Sequence, residues 1–389
     1  MLQATPLDTD AQQSTRINLL DFDETGLATV FEGLGERAFR ATQVLKWIHQ
    51  QQVTDFDAMT NLSKVLRARL AESAEVPLPE VLLEKVSSDG TRKWVLSVDA
   101  RNRIETVFIP EPGRGTLCVS SQVGCALDCQ FCSTAKQGFS RNLSTAEIIS
   151  QLWLVNQRLG ALEAAGANPG RVTNVVFMGM GEPMLNYDAV LAASNIMLND
   201  NAYGLSRRRV TVSTAGVVPK IDRLASESGV ALAISLHATT DSLRDTIVPI
   251  NRKYPLAELL AACDRFLEQR PKGDQITYEY VMLDGINDSR DDAGRLVGLL
   301  DPHKSKINLI PFNPFPQAEY TRSKPEAIAT FQSRLQAAGF VTTVRKTRGD
   351  DIDAACGQLV GQVAARGRKG RLTADARTDQ TADSGPVGA

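Results

Sequence analysis

No stretch of this 389-residue chain approaches the roughly 18 consecutive apolar residues of a membrane span, and Met1-Leu2-Gln3-Ala4-Thr5-Pro6 puts no basic segment ahead of an apolar run. The expectation is a cytoplasmic, unexported protein with no membrane partner. Net charge is nearly absent too: 43 basic against 45 acidic side chains leave −2, so the total announces no polyanionic partner. Only local basic clusters do, at Arg207-Arg208-Arg209, at Arg345-Lys346 with Arg348, and at Arg366, Arg368, Lys369 and Arg371. Cysteine is scarce, six in all, too few for a disulfide framework in a chain of this length. Three of the six nevertheless crowd into eight residues, which points to metal chemistry in a reducing compartment. Large apolar residues all but vanish after about residue 362. Residues 362–389 therefore cannot bury enough surface to offset their ordering entropy, and a disordered tail is expected there.

What is present falls into blocks. Between Asn18 and Val76 apolar residues recur three and four apart, as in Phe39–Ile48 and Leu62–Leu70, which predicts small packed helices with basic outer faces. Pro77-Leu78-Pro79 ends that pattern. Strand-like runs follow at Lys93–Val98, Ile104–Ile109 and Thr116–Ser120. Further runs at 171–180, 208–214, 230–237, 276–283, 305–312 and 340–346 alternate with amphipathic stretches such as 144–159, 186–199, 255–268, 289–300 and 325–338. Alternation of this kind predicts an α/β fold with a parallel sheet, and by itself it does not separate an open or partial barrel from a doubly wound sheet. The expected organisation is a flexible N-terminus (1–17), a helical accessory domain (18–80), an α/β domain with preceding strands (81–361) and the tail (362–389).

Cys125, Cys129 and Cys132 form a C-x3-C-x2-C triplet. An electron-transfer [4Fe-4S] centre normally has four cysteine ligands, so a triplet leaves one iron free to bind a reacting group. A zinc site would want a fourth Cys or His at close spacing, and none follows nearby; three buried thiols are the other plain reading. Gly179-Met180-Gly181-Glu182-Pro183 follows the strand-like Val175-Val176-Phe177. Its glycines let backbone approach a ligand and its carboxylate can receive an ammonium group, although alone it reads as a tight turn. Ser213, Ser235-Leu236-His237 and Asn313 sit at later strand ends, where ligands bind in parallel α/β folds. Taken singly, His237 reads as a hydrogen-bonded structural histidine and Ser213 equally as a helix cap. Cys356 reads as a buried thiol with acidic neighbours that do nothing to lower its pKa. Cys263 follows helical spacing and reads as core.

The triplet spacing resembles the signature of radical S-adenosylmethionine (SAM) enzymes, and GMGEP resembles their glycine-rich motif. Longer blocks narrow the resemblance: Cys118 ahead of the triplet, Arg209–Pro219, Ser235–Ala238, Ile247–Asn251, Ile307–Phe315 and Arg345–Gln358 look like the RlmN family of dual-specificity RNA methyltransferases, from about residue 18 to 360. The resemblance implies a partial (β/α) barrel of the radical SAM type behind a small RNA-contacting helical domain. It implies a [4Fe-4S] cluster on the triplet and two SAM molecules per turnover. One SAM would be held by Gly181 and Glu182 at its amino acid end, with Ser213, Ser235, Leu236, His237 and Asn313 around ribose and adenine.

It further implies that Cys356 carries a methyl group to carbon-2 of an adenosine, in the peptidyl transferase region of 23S rRNA and just 3′ of the anticodon in tRNA. Cys118 would resolve the covalent intermediate through a disulfide, and Glu105 would accept the proton. Carbon-2 is electron-poor and offers no lone pair, so a radical route suits it where a polar displacement does not. An electron donor such as flavodoxin and a monomeric state complete the expectation. The rival readings are a Cfr-type enzyme methylating carbon-8, a radical SAM enzyme that does not methylate, and a non-enzymatic iron–sulfur RNA-binding protein.

Overall fold

A computed structural model of the protein describes residues 16–360 apart from residue 317. Most of the expected flexible N-terminus, the expected disordered tail over 362–389 and the basic cluster at 366–371 lie outside the described residues.

Ten strands make one sheet: β1 (Glu80–Val86), β2 (Arg92–Ser97), β3 (Arg103–Glu111), β4 (Arg114–Cys118), β5 (Asn174–Phe177), β6 (Val210–Thr214), β7 (Ala231–Ser235), β8 (Ile276–Met282), β9 (Ser305–Pro311) and β10 (Val341–Val344). Their order in space is their order in the chain. Neighbours from β1 to β4 pair antiparallel, and from β4 to β10 every pair is parallel. The two ends of the sheet do not pair, so the α/β partial barrel stays open. Each parallel connection passes through a helix, as parallel pairing demands: 145–164, 187–198, 218–227, 256–268, 290–299 and 325–337. Strands covered on both faces read as near-continuous apolar runs, and Ile276, Tyr280, Ile307 and Leu309 are fully buried. The edge strand β1 was not legible from sequence, because Leu82, Leu83 and Val86 stay 43, 45 and 50 % exposed and follow no burial pattern.

The N-terminal helices are Glu24–Gly33, Phe39–His49 and Lys64–Ser73. Asp23 and Ser63 cap the first and third by accepting from the Gly26 and Leu66 amides, satisfying donors that a helix start leaves free. The unit is fastened to the barrel by polar bonds as well as by a shared core. Trp153 Nε1 donates to the Ile48 carbonyl at 2.7 Å, and Asn199 donates to Glu24 at 2.7 Å, a carboxylate that also accepts from Thr42 within the unit.

After β10 the segment 345–360 leaves the barrel edge and returns across to the antiparallel strands. Ser87 Oγ donates to Asp351 at 2.5 Å, Lys93 Nζ to the Asp353 carbonyl at 3.0 Å, and Thr134 Oγ1 to the Leu359 carbonyl at 2.8 Å. This strap carries Cys356.

Candidate active site

The cysteine triplet is framed by a short ribbon in which Gln122–Gly124 pairs with Phe139–Asn142. Gly124 has φ +74°, and a Cβ there would lie 1.9 Å from the Gly138 carbonyl oxygen; only glycine lets the two strands close this tightly. The Cys125 amide then donates to that same carbonyl at 2.9 Å. Burial, followed by the neighbouring thiols, pushes Cys125 up to about 12 and raises Cys129; burial also raises Cys132. Iron binding would therefore have to displace the thiol protons. Among the described residues no three His, Cys, Asp or Glu groups converge on a single ion. Ligands of a cluster each hold a different iron and stand wider apart, so three cysteines around one cavity suit a cluster better than one zinc.

That cavity is lined by all three cysteines together with Gly181 and Glu182, Ser213, Ser235, His237, Asn313 and Cys356. Gly181, at φ +100°, has no room for a side chain: a Cβ would meet Gln122 Cβ at 2.5 Å. Glu182 is buried, which raises its pKa, while backbone donors oppose that rise. The Ala215 amide reaches one oxygen at 2.9 Å and the Met184 amide the other at 3.1 Å. His237 lies edge-on to Phe131 and accepts from the Val281 amide through Nδ1 at 3.0 Å. Burial, with Arg244 nearby, holds its imidazole down to about 3, so it is neutral. Asn313 donates from Nδ2 to the Cys356 carbonyl at 3.2 Å, tying this rim to the strap.

Three sequence candidates stand apart from the lining. Leu236 is fully buried in the core, and only its backbone works, accepting from Arg244 Nε at 3.0 Å. Cys118 ends β4 behind the cavity, where burial pushes its thiol up to about 12, with further upward pressure from Cys356. Glu105, on β3, is buried beneath the strap and faces Lys93 at 3.5 Å. Cys356 itself is open to solvent within the cleft, yet the surrounding walls desolvate its sulfur and push it up to about 11. All six cysteines are free thiols. The Cys118–Cys356 disulfide expected from sequence is absent from this structure.

Two participants escaped sequence reading. Glu279, in the middle of β8, is 3 % exposed and forms the wall between this cavity and a second one on the far side of Cys356. Arg345 meets it at 3.3 Å and opposes the upward shift of both the Cys118 and the Cys356 thiol. Arg345, one of the basic cluster that the sequence offers for phosphate contact, turns toward the barrel interior, where the buried Glu279 carboxylate needs a partner. The signal for Glu279 was available: one charge inside the run Ile276–Met282, otherwise apolar or aromatic but for a threonine.

Residues 17–76 match the family described as the ribosomal RNA large subunit methyltransferase N-terminal domain, and residues 119–297 match the radical SAM superfamily. The whole fold is similar to a radical SAM methyltransferase from Sphaerobacter thermophilus, at 43 % identity and a TM-score of 0.80 over 88 % of this chain and 99 % of that one. SuiB of Streptococcus suis, solved bound to S-adenosylmethionine, is similar at 13 % identity and a TM-score of 0.42, over 62 % of this chain and 55 % of that one, too distant to carry an argument.

Proposed function

We propose, for a chain that belongs to the RlmN family of radical SAM methyltransferases, that its RNA substrate is methylated on carbon-2 of adenosine, in 23S rRNA and next to the anticodon of tRNA. What supports the reading is the setting of Cys356: one strap holds its sulfur in the cavity that also holds the cysteine triplet, with Arg345 beside both it and Cys118. Cys125, Cys129 and Cys132 would hold the cluster, and Gly181, Glu182, Ser213, Ser235, His237 and Asn313 would surround SAM. When bound, cluster and SAM supply the one-electron chemistry: the hydrogen-abstracting radical, and the acceptor for the electron given up later.

The chain's own residues do the rest. Cys356 Sγ, as a thiolate stabilised by Arg345, takes a methyl group by displacement. Once that methyl has lost a hydrogen atom, its carbon bonds to carbon-2 and tethers the RNA to the strap. Glu105 accepts the proton from carbon-2. Cys118 then attacks Cys356 Sγ, the S–CH2 bond breaks, and its carbon takes up a proton to become the methyl group; an external dithiol reduces the resulting disulfide. Two SAM molecules are consumed, one for the methyl group and one for the radical. An adenine must leave its stack to enter, and the helical unit at 18–80 would hold the RNA for the catalytic unit at 81–361. An electron donor such as flavodoxin and a monomeric enzyme fit this scheme.

The test is reconstituted protein with SAM, a reductant and either an rRNA fragment or tRNA, followed by nucleoside mass spectrometry against authentic standards. 2-Methyladenosine is expected. 8-Methyladenosine would assign the Cfr-type reaction, and SAM cleavage without RNA methylation would refute the proposal.

A further inference from the structure

Strands β2 and β3 pair with Val95 opposite Glu105 and Lys93 opposite Val107. Lys93 and Glu105 are therefore diagonal neighbours on one face of the sheet, within reach of long side chains. Each is only 4 % exposed, and lysine is almost never buried to this degree unless paired. Lys93 Nζ lies 3.5 Å from Glu105 Oε1 and also donates to the Asp353 carbonyl at 3.0 Å. Glu105 Oε2 accepts from the Val360 amide at 3.2 Å. Asp353 and Val360 stand three residues before and four after Cys356, so this one ion pair grips the strap on both sides of the sulfur. Asp353 has φ +53°, a conformation that a non-glycine residue keeps only where its surroundings enforce it. The bond from Lys93 to its carbonyl is such a restraint.

We propose that Lys93 is a positioning residue for removal of the carbon-2 proton: it fixes the Glu105 carboxylate and, through the Asp353 carbonyl, the strap bearing Cys356 in one arrangement, so that acceptor and tethered adenine meet in register. The inference rests on the function proposed above. In the step concerned the carbon-2–hydrogen bond breaks, its electron pair stays with the ring, and the proton passes to Glu105.

The charged groups facing Glu105 are Lys93 from β2 and Asp353 from the strap, with the Val360 amide as its other donor. Burial is the largest influence and raises the Glu105 pKa above the ordinary value; Lys93 and the Val360 amide oppose it, and Asp353 adds to it. Without the Lys93 charge the carboxyl holds its proton to higher pH, so the acid limb of product formation moves up in pH.

The test uses the full-length, cluster-loaded enzyme with Lys93→Gln, which keeps a donor for Asp353 but no charge, and Lys93→Arg, which keeps the charge. Three quantities are read: methylation of Cys356 by protein mass spectrometry, the rate of product formation against pH, and the isotope effect with RNA deuterated at carbon-2. Lys93→Gln is expected to load Cys356 like the wild type and to form product about 10- to 100-fold more slowly, less than the roughly 100- to 10,000-fold of a general base itself because the carboxylate is displaced and not removed. Its isotope effect should exceed the wild-type value, its acid limb should shift upward, and Lys93→Arg should restore most of the rate. A Lys93→Gln enzyme with wild-type rate and pH profile overturns the proposal. So does a slow one with unchanged isotope effect and pH profile, or one that fails to methylate Cys356, since the lysine would then serve the fold alone. Failure of the underlying function would look different: the wild type itself would leave Cys356 unmethylated or carbon-2 unchanged.

Discussion

The two halves of the sheet place their candidate groups by different rules. Along the parallel half, β4 to β10, candidate groups sit at strand ends and in the loops that follow them: the triplet after β4, Gly181 and Glu182 after β5, Ser213 on β6, Ser235 and His237 at β7, Asn313 after β9. Position along the chain is enough to place them, because parallel strands deliver their carboxyl ends to one rim. The antiparallel half works through pairing register instead. Glu105 lies within β3, and the role proposed for it depends on β2 setting Lys93 diagonally beside it and on the strap closing over both. The first half is written in motifs, the second in distances between strands.

The largest break in this comparison comes at the junction of the halves, where Cys118 ends β4 and Cys356 rides the strap. Cys356→Ala should take up no methyl group and form no product at all. Cys118→Ala should accept the methyl group, bond to carbon-2 and stall, so that protein purified from producing cells carries RNA attached through Cys356. Denaturing electrophoresis with and without ribonuclease reads this directly; free methylated RNA from Cys118→Ala would remove its resolving role.

Within the parallel half alone, Cys129→Ala should lose the full iron complement and all SAM cleavage. Gly124→Ala should do nearly as much without touching a ligand, since the ribbon cannot close around an added Cβ. Iron analysis and the visible spectrum check both, and a Gly124→Ala protein with full iron would show that the ribbon does not shape the loop.

A smaller effect is expected at the wall between the cavities. Glu279→Leu strands Arg345 beside two thiols, at a cost of about 3 kcal/mol, measured by denaturant unfolding; an equally stable variant would mean that the pair does not hold the wall.

The smallest concerns pH. His49, from the helical unit, is buried against Tyr203 and held down to about 3 by that burial. As pH falls through the ordinary histidine value of about 6.5, the unfolded chain takes the proton first, so stability present above that value is lost progressively toward pH 3. His49 should contribute a loss of about 2 kcal/mol between pH 7 and 5, absent in His49→Leu; identical slopes for the two proteins would contradict the assignment.

In the first half, the parallel strands and the residues that line the cavity were legible in the sequence. The triplet, the GMGEP turn and the strand ends are local patterns, and the strands expected at 208–214 and 276–283, found at 210–214 and 276–282, needed only apolar runs between amphipathic helices. Leu236 was grouped with its polar neighbours, but alternation along β7 and the turn after it send its side chain into the core. Arg345 reads in sequence only as one of a basic cluster, because its partner Glu279 is 66 residues away. The Lys93–Glu105 contact was invisible for a similar reason: it exists only once two strands have chosen a register, and no run of residues encodes that choice by itself.

Strand order has a consequence for how the enzyme comes into being. Because each strand pairs with the one before it, the sheet can assemble in the direction of synthesis, each newly emerged hairpin or helix–strand unit adding to an existing edge. The strap is the exception: it emerges last among the described residues and docks back onto β2 and β3, which emerged among the first. A nascent chain can therefore enclose the cysteine triplet while Cys356 is still inside the ribosome. On the mechanism proposed above, competence for methyl transfer would await that final fold-back, and a partly made copy would lack the thiol that bonds to RNA, the very class of molecule that is building it.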